Sequence, residues 1–116
     1  MLPATLILIT GDPRTSHRPA EAIRIAAGVG TWKRTTISLY LRGPAVLALS
    51  EYADGFVDED NFVRYLPHNK GLGHPAYVQQ GAPLLAELGE ATLPFEEITD
   101  ARLAELAAMS DYVLRF

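Results

Sequence analysis

The run Leu6-Ile7-Leu8-Ile9, closed at once by Gly11-Asp12-Pro13, sets the tightest limit on what this chain can fold into. Four consecutive apolar residues bounded by turn formers suit a strand covered on both faces, as in parallel sheets with helices packed above and below. We expect it to be the central strand of such a sheet. The loop from Asp12 to Arg18 ends at Pro19, whose fixed φ and missing N–H suit the first helical position. Ile23, Ala26, Ala27 and Gly30 fall on one side, and Ala22, Ile25 and Val29 widen the stripe. That pattern predicts a heavily buried helix from Pro19 to about Val29, stopped by Gly30.

The unit then repeats. From Thr35 to Leu41, Ile37, Leu39 and Leu41 alternate with Thr36, Ser38 and Tyr40, a period of two that predicts a second strand. Gly43-Pro44 opens a short helix expected to reach about Tyr52. Successive βα units point to a mostly parallel sheet of four to five strands with right-handed crossovers, a three-layer α/β/α, flavodoxin-like class. Between about residues 53 and 74 the pattern weakens. Asp54-Gly55, Asp58-Glu59-Asp60 and Asn69-Lys70-Gly71-Leu72-Gly73 read as loop, and only Phe62 to Leu66 resembles a strand, so an insertion or long loop is expected there. Pro75 is expected to open a helix using Tyr77, Val78, Ala82, Leu85 and Leu88, broken or kinked at Gly81-Ala82-Pro83 and stopped by Gly89. Ala91 to Phe95 reads as a short strand, with Pro94 confining it to an edge or strand end. Thr99 is a good N-cap for a helix from Asp100 to Met109, and Tyr112-Val113-Leu114 closes the pattern as a last strand.

Composition narrows the function classes. The 116 residues match the commonest size of one domain, and burial of roughly two-thirds of the unfolded surface supports a core without staples. A single domain over 1–116 is the expectation. The formal charge of −4 disfavours sequence-independent binding to nucleic-acid phosphates. There is no cysteine, which removes thiolate zinc sites, thiol nucleophiles and redox pairs, and makes a cytoplasmic home the simplest reading. The apolar stretch Met1 to Ile9 lacks a basic n-region and is too short for a signal h-region or a membrane span. A soluble protein with no membrane partner is expected.

The opening Leu6 to Pro13 followed by Ala20 to Ala27, the second unit Thr36 to Leu49, and the closing Ser110 to Phe116 together resemble the DsrE/TusD-like sulfur-relay family. These segments cover a little over a third of the chain. The resemblance implies a flavodoxin-like fold, assembly into trimers or hexamers, and, in relay members, a sulfur-carrying cysteine near Leu93 to Glu97. Here that segment reads Leu93-Pro94-Phe95-Glu96-Glu97, so this chain lacks the thiol that would carry sulfane sulfur and makes no persulfide transfer by itself.

Two polar clusters are candidate sites. The loop Gly11 to Arg18 follows the first strand and precedes a helix, the usual neighbourhood of ligands in open α/β sheets. Asp12, Arg14, His17 and Arg18 could receive a small anionic ligand beside the free N–H groups of the helix start. The same residue types also make an Asx turn at Asp12, a cap at Ser16 or His17, and solvated arginines, and that plainer reading comes first. His68 and Lys70, with Asn69 and His74 nearby, form a second cluster that reads as a solvated loop or a lid; the six-residue spacing of its histidines is not a zinc pattern. Gly71-Leu72-Gly73-His74-Pro75-Ala76 fits a dinucleotide fingerprint only loosely, because no strand runs into it. We expect no metal and no cofactor. Asp58-Glu59-Asp60 and Glu96-Glu97 read as solvent-facing charges, and Trp32 and Tyr40 as partly buried aromatics. The resulting expectation is a non-thiol, ligand- or protein-binding homo-oligomeric scaffold. The alternative is a small enzyme in which His17 or His68 acts as acid or base on an anionic metabolite.

Overall fold

A computed structural model describes residues 2–31, 35–67 and 75–116. Strand β1 (Ala4–Ile9) leads into helix α1 (Arg18–Thr31) and strand β2 (Thr36–Leu41). A 3-10 helix (Gly43–Leu49) and helix α2 (Glu59–Tyr65) precede β3 (Ala76–Gln79). A second 3-10 helix (Pro83–Glu87), β4 (Phe95–Ile98), α3 (Asp100–Met109) and β5 (Tyr112–Arg115) complete the order. The strands form one parallel sheet in the order β4-β3-β2-β1-β5. This is the expected flavodoxin-like three-layer arrangement. The apolar run is an interior strand as expected, with Leu6 and Ile9 fully buried, but β2 and not β1 lies at the centre of the five. None of the described helices is long and apolar enough to cross a membrane.

Topology explains the two layers. Crossovers between parallel strands are right-handed, so the direction of travel along the sheet decides which face receives the connection. The steps β1 to β2, β2 to β3 and β3 to β4 all move the same way, and α1, α2 and both 3-10 helices share one face. Ile7, Ile9, Ile37, Leu39, Leu41 and Val78 meet Ile23, Val46, Phe62 and Leu88 there in the larger core. The step from β4 back across to β5 runs the opposite way, and α3 lands on the other face. Among the described residues, Leu6, Tyr40 and Ile98 are buried in that smaller core, with Leu8, Tyr77, Leu103, Leu106 and Ala107 half-buried around them.

Four expectations are corrected. The stretch Phe62 to Leu66 is not a strand. Phe62 and Leu66 are buried and lie four apart on one helical face around α2, whereas Val63 is 72% exposed. Pro75 does not open a helix. Ala76 to Gln79 form β3, where Val78 is buried in the larger core and Tyr77 turns to the smaller one, so adjacent apolar residues serve opposite faces of a covered sheet. The strand expected at Ala91 to Phe95 begins only at Phe95, because Pro94 has no N–H to donate; its carbonyl accepts from Ala76 N at 3.0 Å. The helix after Gly43 is 3-10 and ends at Leu49.

Candidate functional site

Because all five strands run in parallel, their C-terminal ends gather the loops Thr10 to His17, Arg42-Gly43, Gln80-Gly81 and Thr99-Asp100, and the end of β5, along one edge. In the first loop Asp12 organises its neighbours. Its carbonyl accepts from Thr15 N and Ser16 N at 3.1 and 2.8 Å, and its Oδ1 accepts from Arg14 N at 2.9 Å, an Asx turn. Arg14 Nη2 lies 2.9 Å from Asp12 Oδ2. Ser16 Oγ accepts from Arg18 N at 3.2 Å and so serves the start of α1. Gly11 is needed for close approach: a Cβ there would lie 3.2 Å from Pro19 Cδ and 3.3 Å from Ser16 Oγ. The turn and cap roles anticipated for Asp12 and Ser16 are both present, and Arg14 is engaged with Asp12. His17 and Arg18 are exposed, and their side chains have no hydrogen-bonding or ionic partner among the described residues. His68 and Lys70, together with Asn69, Gly71, Gly73, His74 and Trp32, lie outside the described residues.

A second polar group on this edge was not anticipated. Arg42 Nη1 donates to Asp100 Oδ1 at 2.8 Å and to the Tyr40 hydroxyl at 3.2 Å, while Arg42 N donates to Ile9 O at 2.9 Å. Tyr40, read as partly buried, is 1% exposed, so Arg42 gives a core hydroxyl its partner and ties β2 to the start of α3. Nothing local links residues 58 positions apart; the available signal was positional, since Arg42 directly follows a parallel strand and Asp100 follows an N-cap. Gly43, at φ 57°, donates to Gln79 Oε1 at 2.9 Å, and Gly81, at φ 72°, donates to Glu97 Oε1 at 3.1 Å. The edge is therefore a row of internally bonded loops. At it, His17, Arg18 and Arg115 carry side chains that no described neighbour engages.

The Arg14 side chain, through its hydrogen bond, holds the Asp12 carboxyl below its ordinary value of 3.8, and Arg42 does the same for Asp100. A carboxyl with a lowered folded pKa contributes stability above its unfolded value and loses that contribution as pH falls through the folded one. Thermal melting between about pH 5 and pH 2 should thus show stability lost on the acid side of 3.8. The loss should be shallower in Asp100→Asn and weaker at high salt, because both pairs face solvent. An acid limb unchanged by Asp100→Asn would mean that the Arg42 pair does not form in solution.

Thr99 is the cap the sequence pointed to: its Oγ1 accepts from Arg102 N at 3.2 Å at the first turn of α3. Thr99→Ala should lower stability by about 1 kcal/mol, read from urea unfolding, with Thr99→Ser close to the parent.

Away from the edge, a depression of about 240 Å³ is lined by Ser50, Glu51, Ala53, Phe62, Val63, Leu66, Pro67 and Thr92. The acidic residues Asp58, Glu59 and Asp60 border an open surface with Arg24 and Asn61. Among the described residues no cluster of three or more His, Cys, Asp or Glu is arranged to hold a metal ion.

No family model matches the chain, and no curated protein matches it. Among solved structures, the ychN protein from E. coli superposes over 100% of both chains with a TM-score of 0.76 at 20% sequence identity. The two chains share a fold. That fold is the α/β/α arrangement implied by the resemblance to the DsrE/TusD-like family.

Proposed function

We propose that this chain is a DsrE-like binding scaffold that acts without thiol chemistry, as an assembly of its own copies. In this reading it receives a small anionic ligand or a protein partner at the edge bearing Asp12, Arg14, His17 and Arg18. The observation that carries the reading is unequal coverage of the sheet. Among the described residues one face is roofed by α1, α2 and two 3-10 helices and the other by α3, and no residue of α3 or β5 is buried. Apolar side chains are exposed on α3 and along β5: Met109 is 71% exposed, Val113, on the face of α3, 38%, and Tyr112 and Leu114, on the face of α1, 61% and 40%. Large apolar side chains left exposed on an edge strand and its neighbouring helix support contact with another macromolecule. The ligand edge rests on position at the strand ends and on the exposed side chains of His17 and Arg18, which no described residue engages.

Native mass spectrometry of gently purified protein tests both parts. The expected spectrum shows three or six copies of the 12.7 kDa chain, with any tightly held anion seen as a mass increment. A monomer throughout the micromolar range would sink the scaffold reading. Sulfur transfer by the purified chain without an added thiol partner would sink its non-thiol part.

A further inference from the structure

β5 closes one margin of the sheet, and among the described residues its backbone is used on one side only. Phe116 N donates to Leu8 O at 2.8 Å and Phe116 O accepts from Thr10 N at 2.9 Å. In a parallel ladder such residues recur every second position, so Tyr112 and Leu114 also address β1. Val113 and Arg115 therefore turn their N–H and C=O groups away from the sheet. An edge of this kind is a template for another strand.

The two margins of the sheet are not alike. β4 follows Pro94 and carries Phe95, 37% exposed, and then the exposed carboxylates Glu96 and Glu97, so charge and proline protect this edge from pairing. β5 instead carries Tyr112, Val113 and Leu114, exposed by 61%, 38% and 40%, between Asp111 and Arg115. One negative and one positive residue flank the central Val113 at equal distance, with Asp111 also bonded to β1, its Oδ2 accepting from Ala4 N and its N donating to Ala4 O, both at 2.7 Å. Two copies of this strand laid antiparallel about Val113 would set Asp111 of each opposite Arg115 of the other, and Tyr112 opposite Leu114. Laid parallel in register, they would oppose like charges, which is destabilising.

From this charge pattern and the outward backbone groups, we infer that β5 is a two-fold interface, pairing antiparallel with β5 of a second copy about Val113 to make one continuous ten-stranded sheet. The inference rests on the reading of the chain as a self-assembling scaffold, and it commits that assembly to an even number of copies. The contact is isologous, so it closes on itself and does not propagate. Val113 and Arg115 supply the donors, accepted by the second copy's Val113 and Asp111 carbonyls. The two α3 helices then lie on the same face.

The absence of cysteine makes the test direct. Val113→Cys places two thiols opposite each other across the axis, at a separation of about 5.5 Å between Cα atoms, within disulfide reach. Under mild oxidation most chains of this variant should migrate as covalent dimers on non-reducing gels. Tyr112→Cys, which faces Leu114 of the second copy, and Glu96→Cys on the opposite margin should stay monomeric. Arg115→Asp should shift the native mass to half the parent copy number or less, and Arg115→Lys should keep it. Failure of Val113→Cys to cross-link in a parent that assembles in even numbers overturns the two-fold pairing alone. An assembly of three copies, or an open-ended polymer joining β5 to β4, also overturns it and leaves self-assembly standing. A monomeric parent removes the pairing and the scaffold reading together.

Discussion

Val78→Asp should leave little folded protein, whereas Gln79→Asp one residue later should fold, losing mainly the hydrogen bond that Gly43 N donates to the Gln79 side chain. Val78 is fully buried in the larger core, beside Leu41 in β2, and Gln79 is half-buried at the strand end. An aspartate at position 78 must either stay charged without a partner or take up a proton, and the penalty is several kcal/mol. A domain of this size holds only about 5–15 kcal/mol in total. Far-UV circular dichroism and the soluble yield of the two variants read the difference. A folded, soluble Val78→Asp would contradict the placement of Ala76–Gln79 as a strand against the larger core.

A second large effect is expected at α2. Phe62 is 3% exposed and meets Phe56 edge to face, with ring centroids 5.4 Å apart. Phe62→Ala removes an aromatic side chain from a packed site and leaves a cavity, a loss of about 3–5 kcal/mol. Val63→Ala, at an exposed neighbour, should stay within about 0.5 kcal/mol. The contrast distinguishes helix from strand when combined with Arg64. Helical geometry puts Phe62 and Leu66 inside together, while a strand would send Phe62, Arg64 and Leu66 to one face. Urea unfolding of Phe62→Ala, Val63→Ala and Arg64→Ala checks it. A cost at Arg64 equal to that at Phe62 would favour the strand.

The elements read correctly in advance are those whose local pattern is long or punctuated. β1 shows an uninterrupted apolar run, β2 a clear alternation, α1 a wide stripe of small and branched residues, and α3 a threonine cap that accepts the expected hydrogen bond. The misread stretches are short. Four residues of β3 span two periods of alternation, and because both faces of that part of the sheet are covered, Tyr77 and Val78 are both apolar and mimic a helical stripe. α2 has seven residues, and Phe62 with Leu66 fits either period until burial of Val63 is known. At the candidate site, the roles of Asp12 and Ser16 were legible because Asx turns and helix starts are local. The Tyr40-Arg42-Asp100 group was not, because a strand end and a helix start meet only after four strands have paired.

By itself the sequence determined the class of fold, through short apolar segments alternating with helical ones. It also determined the exclusion of thiol chemistry, because no cysteine is present to carry it. Both follow from short-range facts, the spacing of side chains and the inventory of functional groups. Only the tertiary structure decided the strand order β4-β3-β2-β1-β5, and with it the return of the chain across the sheet that isolates α3 on one face and leaves β5 at the margin. Pairing partners are chosen by packing between residues far apart along the chain, and no local period records that choice.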